Sequence, residues 1–241
     1  MQFDLMGPLE IRRDGHTVSP TAPKPRQVLA LLALNAGTVV PADQIVDELW
    51  PDGPPSSAKT TVQTYVHQLR KLLGPTVLVT RPAGYLLAVP PEAVDVFRFE
   101  RLAREGREAL RDGDATRAAG LLRDALALWR GPVLGDIVCG PRLLGHAAYL
   151  EEHRIEALSL RIEADLAGRR HWEIVGELRW LVTRHRLHEW LYVRLMQALH
   201  HCGRRADALD VYQELRGLLD EELGMEPSHE AKQLHLQILA A

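Results

Sequence analysis

Ser56 to Val89 reads SSAKTTVQTYVHQLRKLLGPTVLVTRPAGYLLAV, with four cations, Lys59, Arg70, Lys71 and Arg81, and no Asp or Glu. Acids are 32 of the 241 residues, so a stretch of this length would be expected to hold about four. Val62, Val66, Leu69 and Leu73 recur at i, i+4, i+7 and i+11, which predicts one helix docking one face on a core. The other face carries Thr60, Gln63, Thr64, His67, Gln68 and Lys71. A surface helix in a soluble protein ordinarily mixes signs, so an outer face free of acids suits a polyanion, duplex DNA first. The competing reading is an ordinary solvated amphipathic helix.

Gly74-Pro75 stops that helix, and Val77–Thr80 and Tyr85–Leu87 read as two short strands joined by Arg81-Pro82-Ala83-Gly84. The result is a hairpin with an arginine at its tip. A helix fits the major groove, and an arginine beside it fits the narrower, more electronegative minor groove.

Upstream, Gln2–Met6, Leu9–Arg12 and Thr17-Val18 read as a strand meander turning at Asp14-Gly15. A first helix is expected over Lys24–Asn35, with Gly37 past its end, and a second over Ala42–Leu49 after Pro41. Trp50-Pro51-Asp52-Gly53-Pro54-Pro55 makes a stiff turn, and Ser56 or Ser57 is expected to cap the third helix. Strands, three helices and a terminal hairpin make a winged helix-turn-helix. Val89-Pro90-Pro91-Glu92 then separates residues 1–90 from residues 93–241, since consecutive prolines continue neither helix nor strand.

The second part is dense in Ala, Leu, Arg and Glu at helical spacing. Gly113-Asp114, Gly168-Arg169-Arg170 and Gly203-Arg204-Arg205 each precede a helical run, and the last two glycines lie 35 residues apart. That period matches tetratricopeptide-like helical pairs, whose stacking builds concave partner surfaces. A loop at 131–141 and a long helix over Leu143–Ala167 intervene before them. Trp129, Trp172, Trp180 and Trp190 fall at apolar helical positions and are expected in this domain's core. The expected fold is mainly α with a small β component: a winged helix followed by an all-α helical-repeat domain.

Length allows one large or two modest domains, and 46% hydrophobic with 25% charged residues is ordinary for a globular chain. The net charge of −3 splits into +1 over residues 1–90 and −4 over the remainder. Local charge governs where a polyanion docks, and the acids of the first part all lie in Asp4–Asp52. With no apolar run near ~20 residues and no signal-peptide pattern, the chain is expected in the cytoplasm, with the nucleoid. Cys139 and Cys202 form no CxxC pair and are expected to be reduced and buried. His185, His188, His200 and His201 lack cysteines or acids at ligand spacing, so no metal is expected, nor any cofactor. No nucleotide loop or catalytic signature stands out.

Eight segments in order resemble the Streptomyces antibiotic regulatory protein family of transcriptional activators, an OmpR/PhoB-type winged helix followed by a bacterial transcriptional activation domain. In the first domain they are PKPRQVLALLALNAG at 23–37, ELWPDGPP at 48–55, YVHQLRKLLG at 65–74 and TRPAGYLL at 80–87. In the second they are ALALWRG at 125–131, LMQAL at 195–199, GRRADALDVY at 203–212 and EELGMEP at 221–227. One departure is Trp50-Pro51-Asp52-Gly53, where the family commonly has Trp-Gly followed by an acid. Larger members add an ATPase module, but no GxxxxGK[ST] occurs here, so the chain resembles the small members or a piece of a longer protein.

The resemblance implies major-groove base contacts from Gln63, Thr64, His67 and Gln68. Phosphate contacts would come from Lys24, Arg26, Lys59, Thr60, Arg70 and Lys71, and a minor-groove contact from Arg81. It further implies a head-to-tail dimer on direct repeats of promoter DNA, and recruitment of RNA polymerase and its sigma subunit through Trp50, Pro51, Asp52 and Gly53. Two other function classes stand beside it: a helical-repeat adaptor whose winged helix binds protein, and an enzyme. An adaptor has no need of an acid-free face, and no feature favours an enzyme.

Overall fold

The computed structural model describes residues 1–241 and divides into two compact units. The first comprises Met1–Glu108 with Gly120–Ser159; the second comprises Ala109–Ala119 with Leu160–Ala241.

The first unit opens with an antiparallel sheet of β1 (Gln2–Asp4), β2 (Glu10–Arg13) and β3 (His16–Val18). The turn between β2 and β3 is the Asp14-Gly15 pair, with φ of 50° and 80°. Both lie in the left-handed region that a two-residue hairpin loop of this kind demands. Phe3 and Ile11, paired across β1 and β2, are buried.

Helices α1 (Pro23–Leu34), α2 (Ala42–Leu49) and α3 (Ala58–Leu73) follow. Pro23 and Pro25 sit in the first turn of α1, where their missing N–H groups cost little. Nine of the twelve residues of α1 are buried, so this helix is the centre of the core, and α2 and α3 pack against it. Val62, Val66, Leu69 and Leu73 of α3 are each no more than 2% exposed, as the periodicity predicts. Ser57 is the N-cap of α3 by position, but its hydroxyl makes no capping bond. Instead its carbonyl accepts from the Thr61 N–H and hydroxyl.

The wing is a second sheet in the order β4-β6-β5, from β4 (Val39–Pro41), β5 (Leu78–Arg81) and β6 (Gly84–Leu87). The sequence reading has no strand at 39–41, because three residues ending in Pro carry no alternation. Pairing of Val40 with Tyr85 and of Pro41 with Gly84 creates it. Gly84 is required there: an added Cβ would lie 2.0 Å from the Val40 carbonyl oxygen.

Helix α4 (Asp95–Arg111) follows a turn of 3-10 helix at Pro91–Ala93. Asp95 opens it and is 1% exposed, its carboxylate accepting from the N–H groups of Leu5 and Met6 at 2.8–2.9 Å. Burial pushes its pKa up to about 6, against the lowering effect of the Met6 and Leu5 hydrogen bonds. Phe3 also bridges to Val94 in parallel fashion, so the first strand is fastened to the start of α4. Helices α5 (Ala115–Leu126) and α6 (Pro141–Ala167) complete the count of elements reaching this unit.

In the second unit, α7 (His171–Arg184), α8 (Glu189–His201), α9 (Arg205–Leu223) and α10 (His229–Ala240) stack in sequence, each against the next. The turns Gly113 and Gly203 take φ of 82° and 74°, while at 168–170 the left-handed position moves to Arg169, φ 58°. Arg161, 4% exposed, sits between Asp165 and Glu177, and Arg170 closes on the other oxygen of Asp165 at 2.7 Å. Two tryptophan expectations fail here: Trp172 and Trp180 are 67% and 58% exposed on α7. Their spacing with Gly176 forms a second stripe at i, i+4 and i+8, beside the buried one of Ile174, Val175, Leu178, Leu181 and Val182. Trp190 is half-buried, as is Trp129, which belongs to the first unit; Cys139 of the first unit and Cys202 of the second are also half-buried and free, and burial pushes both thiols up.

Candidate nucleic-acid interface

Helix α3 presents Lys59, Thr60, Gln63, Thr64, His67, Gln68 and Lys71 to solvent, all exposed. These positions step by three or four and so form one continuous ridge of donors and acceptors. The Thr64 hydroxyl is turned back on the Thr60 carbonyl at 3.1 Å, which is one way for a mid-helix threonine to satisfy it. Gln63 and Gln68 each carry a carbonyl and an amino group, the pair of functions that matches the major-groove edge of adenine.

Arg81 ends β5 opposite Gly84, across the two-residue loop Pro82-Ala83, and is exposed. The loop is tied down, since the Ala42 N–H donates to the Ala83 carbonyl at 3.3 Å. The wing-tip arginine is thus presented by a short, paired hairpin.

Four cations expected at phosphates have other occupations. Arg26 is only 13% exposed at its side chain; it donates to the Pro20 and Leu9 carbonyls at 3.0 and 3.2 Å and pairs with Asp136. That arginine clamps the Leu9 and Pro20 backbone to the 131–140 loop. The Lys24 ammonium donates to the Leu49 carbonyl and lies 5.7 Å from the Trp50 ring centroid, so it braces the turn after α2. Arg70 donates through Nε to the Leu78 carbonyl at 2.8 Å and through Nη2 to Thr80 Oγ1 at 2.5 Å. It therefore fixes the angle between helix and wing. Lys59 meets Asp43 at 3.1 Å with both side chains about three-quarters exposed. Such a pair is worth little in water and yields readily to a phosphate.

The turn after α2 is shaped by Gly53, whose φ of 130° favours glycine and whose N–H donates to the Trp50 carbonyl at 3.2 Å. Trp50 is half-buried, and Pro51, Asp52 and Gly53 are exposed. Behind it, Glu48 is 1% exposed and accepts from the N–H groups of Gly140, Arg142 and Leu143, at the start of α6. Sequence reasoning passed over Glu48, since a glutamate in an amphipathic helix gives no sign that it will be buried. Asp95 at least stands where acids favour a helix start.

No group of three or more His, Cys, Asp or Glu side chains is placed to hold a metal ion, and no helix is long and apolar enough to cross a membrane.

Residues 94–239 match the model of the bacterial transcriptional activator domain, and residues 16–87 match that of the transcriptional regulatory protein, C terminal. Regulatory protein DnrI of Streptomyces peucetius is 45% identical over the whole of this chain and 93% of its own length. Regulatory protein AfsR of Streptomyces coelicolor is 40% identical over the whole chain, which spans only 24% of that larger protein. The solved structure of Mycobacterium tuberculosis EmbR in complex with a low-affinity phosphopeptide superposes with a TM-score of 0.90 at 34% identity. That likeness covers 99% of this chain and 65% of EmbR.

Proposed function

We infer, from a chain that belongs to the Streptomyces antibiotic regulatory protein family of transcriptional activators, that its winged helix reads direct repeats of promoter DNA near the −35 element and recruits RNA polymerase there. Activation of transcription is the family's business; the repeats, the polymerase contact and control of a secondary-metabolite gene cluster are our reading. The observation that carries it is the acid-free outer ridge of α3 lying beside an exposed wing-tip arginine.

Gln63, Thr64, His67 and Gln68 read base edges, and Arg81 enters the minor groove. Lys59, Thr60 and Lys71 hold phosphates, which set register without reading sequence. Lys24 and Arg70 act indirectly, by holding the Trp50 turn and the wing in place. The exposed Pro51-Asp52-Gly53 segment, backed by Trp50, is offered to the polymerase's sigma subunit. Residues 1–90 serve as the reader and residues 93–241 as the activation domain, working on the nucleoid in the cytoplasm. Two copies bind head to tail on repeats ~10–11 bp apart, because a full turn returns the second copy to the same face of the duplex.

Transcription in vitro with the host's RNA polymerase holoenzyme tests this. A template carrying the tandem repeats should be stimulated by the intact chain, weakly by Gln68→Ala or Arg81→Ala, and not at all when the repeats are scrambled. A variant at Asp52 should bind the template normally and stimulate less. Equal stimulation of both templates would refute the reading, and an absence of DNA binding at low salt would favour the adaptor.

A further inference from the structure

Three turns of the second unit close in the same way. The N–H groups of Gly113, Arg169 and Gly203 donate to the carbonyls of Leu110, Leu166 and His200, and the N–H that follows each donates to Ala109, Asp165 and Leu199. At the left-handed position two of the turns carry glycine; the third carries Arg169, at φ 58°. A Cβ makes that conformation costly, which is why glycine is its usual occupant. The turn itself therefore does not ask for an arginine, and this one is exposed and makes no ion pair.

Arg169, His171, Gln197 and His201 line one cleft of about 530 Å³, with Leu166 beside them. The imidazoles of His171 and His201 stack, their centroids 4.4 Å apart and their planes 23° from parallel, and His200 meets His201 edge-on at 5.7 Å. Nδ1 of His201 lies 2.8 Å from the Gln197 carbonyl. A carbonyl only accepts, so Nδ1 carries the proton and Nε2 is left to meet other partners. Nδ1 of His171 is buried without a hydrogen-bond partner.

The acids around this cleft are already engaged. Glu163, at its edge, pairs with Arg194 at 2.7 Å; Asp165 takes Arg161 and Arg170; Asp207 takes Arg204 at 2.6 Å; and Glu173 is engaged as well. Arg205 donates only to the neutral Leu239 carbonyl, which leaves its charge uncompensated too. Burial lowers the pKa of His171, and His201 and Arg169 lower it further. Bases crowded round a space that holds no free acid suit an anion supplied from outside. A guanidinium fork beside imidazole donors matches the oxygens of a phosphoryl group, and the cleft exceeds what inorganic phosphate alone would fill.

We propose that this cleft binds the phosphoryl group of a small molecule, free phosphate or a phosphate monoester, through Arg169, His171 and His201. Arg169 grips two of the oxygens, and the imidazoles donate to the dianion. Because neutral His201 offers only an acceptor at Nε2, binding takes up a proton. The site lies within the second unit and stands whether or not α3 reads DNA.

Isothermal titration calorimetry of the intact chain tests this, with inorganic phosphate and adenosine 5′-monophosphate as probes and sodium chloride holding the ionic strength constant. Saturable binding is expected, with a heat that changes with the ionisation enthalpy of the buffer in the sense of proton uptake. Arg169→Gly eases the turn, so it should keep or raise the melting temperature while weakening binding at least about tenfold. His201→Gln should weaken binding and reduce the proton uptake. Tighter binding of the nucleotide would assign the site to an ester, and equal or tighter binding of phosphate to the free anion; either upholds the proposal. No saturable binding of either probe, or undiminished binding by Arg169→Gly, would overturn it. If the two variants weaken only the binding of duplex DNA, the cluster is a backbone contact and the proposal falls.

Discussion

Glu48, in the second helix of the winged helix, accepts a 2.6 Å hydrogen bond from the backbone N–H of Gly140, 92 residues along the chain. The same carboxylate takes the N–H groups of Arg142 and Leu143, so one buried acid caps the start of α6. Gly140 is what permits the approach, since an added Cβ would lie 2.2 Å from the Glu48 carbonyl oxygen and 2.8 Å from its carboxyl. Gly140→Ala and Glu48→Ala should each destabilise the protein by about 2–4 kcal/mol, the first by overlap and the second by orphaning buried donors. Chemical denaturation followed by circular dichroism checks this, and a loss under about 0.5 kcal/mol for both would contradict it.

Asp95 gives a pH dependence of unusual sign. Its pKa rises on folding from 3.8 to about 6, so between those values the folded state binds more protons than the unfolded state. Stability contributed here is present below about pH 4 and is lost as pH rises through 6, opposite to a salt-bridged carboxylate. The stability advantage of the unaltered chain over Asp95→Asn should shrink between pH 4 and pH 7 by on the order of 2–3 kcal/mol. Urea melts of both proteins across that range measure it, and parallel pH profiles would contradict it.

Gly84→Ala should disrupt the wing. The Cβ would stand 2.0 Å from the Val40 carbonyl oxygen and 2.9 Å from the Pro41 Cα, both backbone atoms that cannot swing aside. We expect this variant to bind DNA at least about tenfold more weakly, because Arg81 is then no longer presented by a paired strand. Full affinity in a folded Gly84→Ala protein would show that the wing does not contribute.

Lys71 and Arg26 should part company in a salt titration. Lys71→Ala should weaken binding to all sequences alike and reduce the slope of log affinity against log salt by about 1. Arg26→Ala should leave the slope unchanged and lower the melting temperature, since the residue is clamped to Pro20, Leu9 and Asp136. A changed slope for Arg26→Ala would return it to the interface.

Much of this was legible in the sequence where a single residue type or period decides the matter. The buried stripe of α3 followed from spacing, and the Asp14-Gly15 turn from the backbone freedom those residues have. What escaped depends on partners far along the chain. Strand β4 exists because Tyr85 and Gly84 pair with it, and Glu48 is buried because the start of α6 needs an acceptor. Lys24, Arg26 and Arg70 look like phosphate ligands when only charge is visible; their carbonyl and carboxylate partners appear only in three dimensions. Trp172 and Trp180 misled for a related reason: an apolar residue at helical spacing marks a face, and α7 has two.

The central claim is that the ridge of α3 reads sequence, and relative affinity tests it most directly. Fluorescence anisotropy at physiological salt would compare a tandem-repeat duplex with a scrambled one of equal length and composition, for the intact chain and for Gln63→Ala/Gln68→Ala. The account predicts a preference of about a thousandfold or more for the repeats, falling by roughly ten- to a hundredfold per glutamine lost while scrambled DNA binds as before. Equal affinity for the two duplexes, or a preference untouched by the double substitution, would contradict it.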